Sequence, residues 1–174
     1  HISPETHLIQ VGDVIDRGPN SKETFEMLRE RQHDARRDNQ GQVYRLLGNH
    51  ELMLLRGYLG EDEELLQWYQ EIGAFEKETY GIKLRSEVAD ERAQKIRELI
   101  DASEFKQVVD AMLQDVLTGD LLAIVYGQGL PFSHAGVHDN LWHLLLNEIR
   151  QLEVVGEQES ITDEILSDYI NSVA

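Results

Sequence analysis

The sequence lacks cysteine, has only three prolines in 174 residues, and contains no long apolar run. Without cysteine, disulfides and thiolate metal sites are excluded, so histidine, aspartate, asparagine and glutamate are the side chains left to bind a metal. No segment reaches 18 consecutive apolar residues, which predicts no membrane-spanning helix and no membrane partner. No basic segment followed by an apolar one marks a signal peptide, and we therefore expect a cytoplasmic location.

Positive charge is also scarce. The chain has 16 lysines and arginines against 33 aspartates and glutamates, which gives a formal net charge of −17. A surface this acidic repels the nucleic-acid backbone, so we expect no nucleic-acid partner. It also repels a phosphorylated substrate, unless bound divalent cations reverse the local field. Apolar residues make up 41% of the chain, which is ordinary for a globular domain with a buried core.

Apolar segments that we interpret as strands are followed by side chains of the types that bind metals or phosphate. In α/β proteins, strand ends of this kind meet at one edge of a sheet, where ligand crevices form. We therefore predict that three clusters lie close together in space. They are Asp13, Asp16 and Arg17 after the segment 7–11, Asn49, His50 and Glu51 after the segment 42–47, and His134 after a predicted hairpin of strands 121–126 and 130–133.

The first role predicted for these clusters is metal binding. A carboxylate such as Asp13 can bridge two cations, while an amide oxygen from Asn49 and an imidazole from His134 can complete part of one metal's shell. Such oxygen and nitrogen donors suit two divalent ions drawn from Mn, Fe, Zn and Mg. Two metals about 4 Å apart lower the pKa of a shared water and hold a phosphoryl group. Taken singly, each of these residues could instead be a turn, cap or structural residue.

The second predicted role is phosphoryl transfer itself. Arg17 offers a planar guanidinium that matches phosphate oxygens. His50 follows a predicted metal ligand and can protonate a leaving alkoxide. A histidine in that role needs a carboxylate to fix its tautomer, and Asp16 is the candidate. The alternative for Arg17 alone is an ordinary surface ion pair.

The segment 57–119 has a different character, because it contains helical patterns and no cluster of metal ligands. We interpret it as a helical insertion or cap within a single domain spanning 1–174, with a partner-binding surface as the alternative. Its predicted helices begin near Glu61, span 86–101, and follow Phe105. Other predicted helices run from about 20 to 37, from the Asn49 cluster to about 56, across 141–149, and onward from Ser160.

Three motifs resemble those of the calcineurin-like metallophosphoesterases: GDVIDRG at 12–18, GNHE at 48–51 and HAG at 134–136. The separation of the first two motifs, 49 − 13 = 36 residues, suits the branch of serine/threonine protein phosphatases and bacterial diadenosine tetraphosphatases. The resemblance implies a four-layer α/β/β/α sandwich with two mixed sheets and a dinuclear metal site at the strand ends.

Carried over by position, the resemblance also implies a role for each motif residue. Asp13 resembles the bridging metal ligand, Asn49 and His134 ligands of the second metal, His50 the general acid, Asp16 its partner, Arg17 a phosphate-binding residue, and Glu51 a residue that supports the ligands.

Two motifs of that family have no counterpart in this sequence. The family's early Asp-x-His, which supplies most ligands of the first metal, is missing before Gly12, and its late Gly-His is missing after Gly136. The gap from Asn49 to His134, 134 − 49 = 85 residues, is longer than the family's common spacing. We therefore expect a central fragment of the domain that holds only part of the site.

The predicted function is that of a metal-dependent, serine/threonine protein phosphatase-like enzyme. It would hydrolyse phosphomonoesters, in a phosphoprotein or a small phosphoester, by attack of a metal-bridging hydroxide. We expect weak or no turnover from these 174 residues alone, because one metal lacks most of its ligands. The alternatives are a dinucleoside polyphosphate hydrolase and a non-catalytic binding module that uses the helical segment 57–119.

Overall fold

A computed structural model describes residues 6–38, 41–84, 91–127 and 130–134 of the chain. These residues form a mixed α/β structure with six helices, a small parallel sheet and a separate hairpin. No helix among them is both long and apolar enough to cross a membrane. In chain order the elements are β1 (His7–Gln10), α1 (Ser21–Asp38), β2 (Gln42–Leu46), α2 (Asn49–Leu59), α3 (Asp62–Glu71), α4 (Ala74–Thr79), α5 (Arg92–Asp101), α6 (Lys106–Thr118), β3 (Leu121–Leu122), β4 (Val125–Gly127) and β5 (Leu130–Phe132).

Most predicted elements are confirmed to within two residues at their ends, whereas α2, predicted to end near 56, ends at Leu59. The exceptions in the helical segment are α4, which was not predicted, and α5, whose predicted first part at 86–90 lies outside the described residues. The predicted helices at 141–149 and after Ser160 also lie outside them. The four-layer sandwich stays a prediction.

The parallel sheet has the strand order β1-β2-β3. His7 pairs with Gln42 and Arg45 pairs with Leu121, so all three strands run in the same direction. Parallel neighbours need crossover connections, which α1 provides between β1 and β2, and the helices α2 to α6 provide between β2 and β3. The loop after β1 and the start of α2 therefore lie at the same edge of the sheet.

The predicted third strand, 121–126, is wrong as a single strand. Its first half, β3, pairs with β2 in the parallel sheet, whereas its second half, β4, pairs antiparallel with β5. The chain leaves the first sheet between these halves, at Ala123 and Ile124. An unbroken apolar run does not reveal such a change of partner, because both halves need apolar side chains. The hairpin itself is confirmed, with Val125 paired to Phe132.

Helices α2, α3, α5 and α6 share one buried core with the loop after β1, with Phe25 of α1 and with Leu121 of β3. Trp68, Leu54 and Ile96 are fully buried in it, together with Ile15 from the loop. Helices α2 and α3 approach closely at Gly57, where an added Cβ would lie 2.5 Å from the Cα of Leu65, so this position requires glycine. The helical segment is thus packed against the loop that carries the candidate site residues.

A buried ion cluster, formed by Arg29, Gln32, Arg45 and Asp115, connects α1, β2 and α6. Arg45 and Asp115 are each 1% exposed, and the Arg45 Nη2 donates to Asp115 Oδ2 at 2.7 Å. The Arg29 Nε lies 3.0 Å from both oxygens of the same carboxylate. Gln32 accepts a hydrogen bond from Arg45 Nε at 2.8 Å. Buried charges remain in a protein interior only when they are paired and hydrogen-bonded in this way.

Candidate active site

The loop between β1 and α1 has an unusual backbone. Among the described residues, the non-glycine residues with positive φ are Asp13 (54°), Asp16 (69°) and Arg17 (57°). These are the three loop residues that the sequence singled out for chemistry. Left-handed backbone at non-glycine residues costs free energy, and it persists where the surrounding structure holds it in place.

A single buried carboxylate holds much of this loop. Glu51 lies in the first turn of α2 and is 1% exposed. Its two oxygens join the loop after β1 to the start of α2, and its predicted role in supporting the metal ligands stays a prediction. The backbone N–H groups that donate to them belong to Asp13 at 2.9 Å, Val14 at 2.7 Å, Ile15 at 3.1 Å and Gly48 at 2.8 Å.

Two glycines allow the two segments to approach this closely. A Cβ added to Gly48 would lie 2.2 Å from Asp13 Oδ1, and one added to Gly12 would lie 2.6 Å from the Gly48 Cα and 2.9 Å from His134 Nδ1. Gly12 also has a φ of 90°, which disfavours any other residue. The glycines that open the GDVIDRG and GNHE motifs therefore make room for the site.

The three predicted metal ligands lie together at this edge of the sheet. His134 Nε2 is 3.0 Å from Asn49 Oδ1 and 3.2 Å from Asp13 Oδ2. The other ring nitrogen of His134 is 2.8 Å from the Val11 carbonyl oxygen, so it carries the proton and donates to that oxygen. The remaining ring nitrogen, Nε2, is thereby directed toward the oxygens of Asn49 and Asp13, which lie 134 − 49 = 85 and 134 − 13 = 121 positions away along the chain.

These distances fit a shared cation. Ligand atoms at right angles around an ion, with bonds of about 2.1 Å, lie about 3 Å apart. The set of a carboxylate, an amide oxygen and an imidazole nitrogen suits Mn²⁺, Fe²⁺, Zn²⁺ or Mg²⁺. Within the described ranges, however, no group of three or more histidine, aspartate or glutamate side chains could hold a metal ion. This part of the chain therefore offers part of a metal shell.

The predicted acid and its partner are in contact and buried. His50 Nδ1 lies 2.9 Å from Asp16 Oδ2, and the two side chains are 3% and 0% exposed. Burial raises the pKa of Asp16 to about 6, against the opposing effect of hydrogen bonds from His50, Trp68 and Tyr80. The Trp68 indole N–H donates to Asp16 Oδ2 at 2.7 Å, and the Tyr80 hydroxyl donates to Asp16 Oδ1 at 3.2 Å.

Trp68 and Tyr80 are site residues that the sequence interpretation missed. Trp68 lies in α3 and Tyr80 caps the end of α4, so both come from the helical segment 57–119. Helical spacing marks Trp68 as a core residue, which it also is. The available signal was chemical, because a buried indole N–H or phenol O–H needs a hydrogen-bond partner. Burial also raises the pKa of Tyr80 above its usual value, so its hydroxyl keeps its proton.

A second residue of α3 reaches the opening of the site. Glu71 Oε2 lies 3.0 Å from Arg17 Nη2 and 3.5 Å from His50 Nε2. The Arg17 side chain is 66% exposed, whereas that of Glu71 is 31% exposed. The guanidinium and the outward nitrogen of His50 thus meet at one carboxylate oxygen, which the sequence interpretation did not anticipate.

Comparison with known proteins identifies a family. Residues 1–170 match the family model described as calcineurin-like phosphoesterase. A 50-residue stretch, 29% of this chain, is 44% identical to "Uncharacterized protein C1840.07c" of Schizosaccharomyces pombe and covers 15% of that protein's length. No solved structure matches the chain. Since the family model spans nearly all of these residues, including every strand end that carries the candidate site, the chain belongs to the calcineurin-like phosphoesterase family.

Proposed function

We propose that these residues belong to a metal-dependent phosphoesterase of the serine/threonine protein phosphatase type, which hydrolyses phosphomonoesters. The observation that carries the proposal is the separation of 3.0 Å and 3.2 Å between His134 Nε2 and the oxygens of Asn49 and Asp13. Family membership supports metal-dependent phosphoester hydrolysis in general. The substrate class and the use of two metals are our extension of it.

In this proposal Asp13, Asn49 and His134 hold a divalent cation, with Asp13 as the residue able to bridge a second one. Bound cations would supply an activated water and neutralise the charge of the phosphoryl group. The net charge of −17 supports a role for such cations, because the acidic surface otherwise repels a phosphorylated substrate. Their identity among Mn, Fe, Zn and Mg is left open by the donor types.

The remaining residues act on the substrate directly. Arg17 binds a phosphoryl oxygen through its guanidinium. The outward nitrogen of His50 donates a proton to the leaving oxygen, while the inner nitrogen donates to Asp16 at 2.9 Å. Asp16 thereby fixes the orientation of the ring and stabilises its protonated form. Trp68 and Tyr80, which donate to the same carboxylate, keep Asp16 in position.

Metal titration tests the proposed ligand set. We expect Asp13→Asn to weaken Mn²⁺ binding by about tenfold or more, because it removes the carboxylate charge from the shell. The matched control is Asp38→Asn at the exposed end of α1, which should bind Mn²⁺ like the wild type. Free Mn²⁺ measured by electron paramagnetic resonance gives the affinity. Equal binding by wild type and Asp13→Asn would favour a non-catalytic binding module.

Product analysis tests the substrate class. With enzyme in excess over substrate and Mn²⁺ present, we expect inorganic phosphate to be released from a phosphoserine peptide. Cleavage of diadenosine tetraphosphate, with the phosphopeptide left intact, would favour a dinucleoside polyphosphate hydrolase. Efficient repeated turnover of para-nitrophenyl phosphate by the 174 residues would contradict the expectation of weak or no turnover.

A further inference from the structure

The carboxylate of Glu71 lies where the proposed substrate should bind. Its Oε2 is 3.0 Å from Arg17 Nη2 and 3.5 Å from His50 Nε2, the two groups assigned above to the phosphoryl oxygen and the leaving oxygen. Its other oxygen, Oε1, accepts a hydrogen bond from the Gln67 amide at 3.2 Å. Glu71 is the last residue of α3, the helix whose Trp68 donates a hydrogen bond to Asp16.

The fold gains little from this contact. The Arg17 side chain is 66% exposed, and exposed ion pairs contribute weakly to stability because water and salt screen them. The backbone conformation of Arg17 is nevertheless uncommon, with a φ of 57°, and its guanidinium contacts Glu71. The outward nitrogen of the buried His50 faces the same oxygen. Two elements therefore converge on one anionic oxygen.

A carboxylate oxygen and a phosphoryl oxygen are similar acceptors for these two groups. Both are anionic, and both accept charge-assisted hydrogen bonds from arginine and protonated histidine. We propose that Glu71 is an internal competitor for phosphate: in the free protein its carboxylate occupies the place of a phosphoryl oxygen, and the substrate must displace it. This inference rests on the function proposed above.

The competition favours doubly charged substrates. A phosphomonoester dianion that replaces a singly charged carboxylate gains attraction to Arg17 and His50 in the exchange. A diester carries one negative charge. It replaces the carboxylate with a group of the same charge and therefore gains no additional attraction to Arg17 and His50. Glu71 therefore acts as a specificity-determining residue at the mouth of the site, and its charge sets how strongly the protein holds free phosphate.

Phosphate affinity tests the proposal without a need for turnover. Inorganic phosphate is titrated into the full chain at pH 7.5, in buffer of constant ionic strength that contains Mg²⁺, and binding is followed by NMR at the backbone amides of residues 12–18. We expect Glu71→Gln to bind phosphate about three- to tenfold more tightly than the wild type, because one negative charge is removed a few ångströms from the anion.

A second glutamate on the same helix provides the matched control. Glu64 also contacts an arginine, with its Oε1 3.1 Å from Arg56 Nη1, and its side chain is 25% exposed against 31% for Glu71. Glu64 lies two helical turns, about 10 Å along α3, from Glu71. Glu64→Gln should therefore leave phosphate affinity within twofold of the wild type. An equal gain in both variants would show a general charge effect and would overturn the proposal.

A third variant, Arg17→Ala, distinguishes failure of the Glu71 proposal from failure of the proposed function. If Arg17→Ala weakens phosphate binding while Glu71→Gln leaves it unchanged, Glu71 is not a competitor and the proposed function stands. If the wild type binds no phosphate, or if Arg17→Ala binds it as the wild type does, the proposed function fails and the role of Glu71 fails with it.

Discussion

At the scale of single residues, Asp16 is a buried carboxylate whose ionisation is opposed by its surroundings. Burial raises its pKa from 3.8 to about 6, although three side chains donate hydrogen bonds to it. The proposed role of Asp16 as the partner of His50 requires the ionised form. The site therefore keeps a charged group in a place where the neutral form is easier to accommodate.

This shift predicts how stability depends on pH. The folded protein binds the Asp16 proton more tightly than the unfolded chain, so the stability that Asp16 contributes below pH 3.8 is lost as the pH rises through about 6. In Asp16→Asn that loss is absent. The unfolding free energy of Asp16→Asn, relative to that of the wild type, should therefore rise between pH 4 and pH 7 by up to about 3 kcal/mol. Urea unfolding across this range measures the difference, and parallel profiles would contradict it.

The indole of Trp68 predicts a second residue-level effect. Trp68→Phe keeps an aromatic ring but removes the N–H that donates to Asp16 at 2.7 Å. We expect the unfolding free energy above pH 7 to fall by about 1–3 kcal/mol, because a hydrogen bond to a buried charge is lost. In the double variant that combines Trp68→Phe with Asp16→Asn, the two changes in unfolding free energy should be less than additive. Tyr58→Phe removes an exposed hydrogen bond to Asp101 and should cost under about 1 kcal/mol.

At the scale of elements, the start of α2 and the loop after β1 depend on one side chain. Glu51 accepts four backbone hydrogen bonds, three from the loop and one from Gly48. Glu51→Gln would replace an acceptor oxygen with an NH₂ group that faces N–H donors. We expect a loss of about 2–4 kcal/mol in unfolding free energy, together with weaker metal binding, because Asp13 would lose its support.

The exposed Glu63, in the first turn of α3, is the control for Glu51. Glu63→Gln should change stability by less than about 1 kcal/mol, since it removes only a favourable interaction with the helix dipole. A similar small effect for Glu51→Gln, with unchanged Mn²⁺ affinity, would mean that the loop keeps its left-handed residues without this carboxylate.

Local patterns predicted most of these elements, and the failures have a common cause. Apolar spacing gave β1, β2, α3 and α6, and ligand-type residues at strand ends pointed to the cluster that the structure brings together. What local patterns missed depends on contacts between distant residues. Three such contacts involve residues of the helical segment. They join Trp68 to Asp16, Glu71 to Arg17 and Tyr80 to Asp16, across 52, 54 and 64 positions of the chain. The break between β3 and β4 likewise reflects a choice of partner, which an apolar run does not encode.

At the scale of the whole molecule, the buried ion cluster of Arg29, Gln32, Arg45 and Asp115 fixes the position of α6 relative to the sheet. Asp115→Asn would leave two arginines facing a neutral amide in a site where Arg45 is 1% exposed. We expect the unfolding free energy to fall by about 3–5 kcal/mol, because an unpaired charge would remain buried. Asp110→Asn, on the exposed face of the same helix, should cost under about 1 kcal/mol.

Thermal and urea unfolding distinguish these two variants. If Asp115→Asn unfolds like Asp110→Asn, water or neighbouring groups compensate the buried arginines, and the cluster is not a determinant of stability. Phosphate binding should be nearly unaffected in both variants when they are folded, because the cluster lies apart from Arg17 and His50.

The contacts of Trp68 and Tyr80 with Asp16 have a consequence for how such a protein can diverge. The groups proposed to hold the cation directly follow strands, whereas Trp68, Glu71 and Tyr80 come from α3 and the end of α4, beyond α2. Recombination that exchanged α3 and α4 between relatives, and left α2 with Asn49 in place, would therefore alter proton donation and phosphate selectivity more than cation affinity.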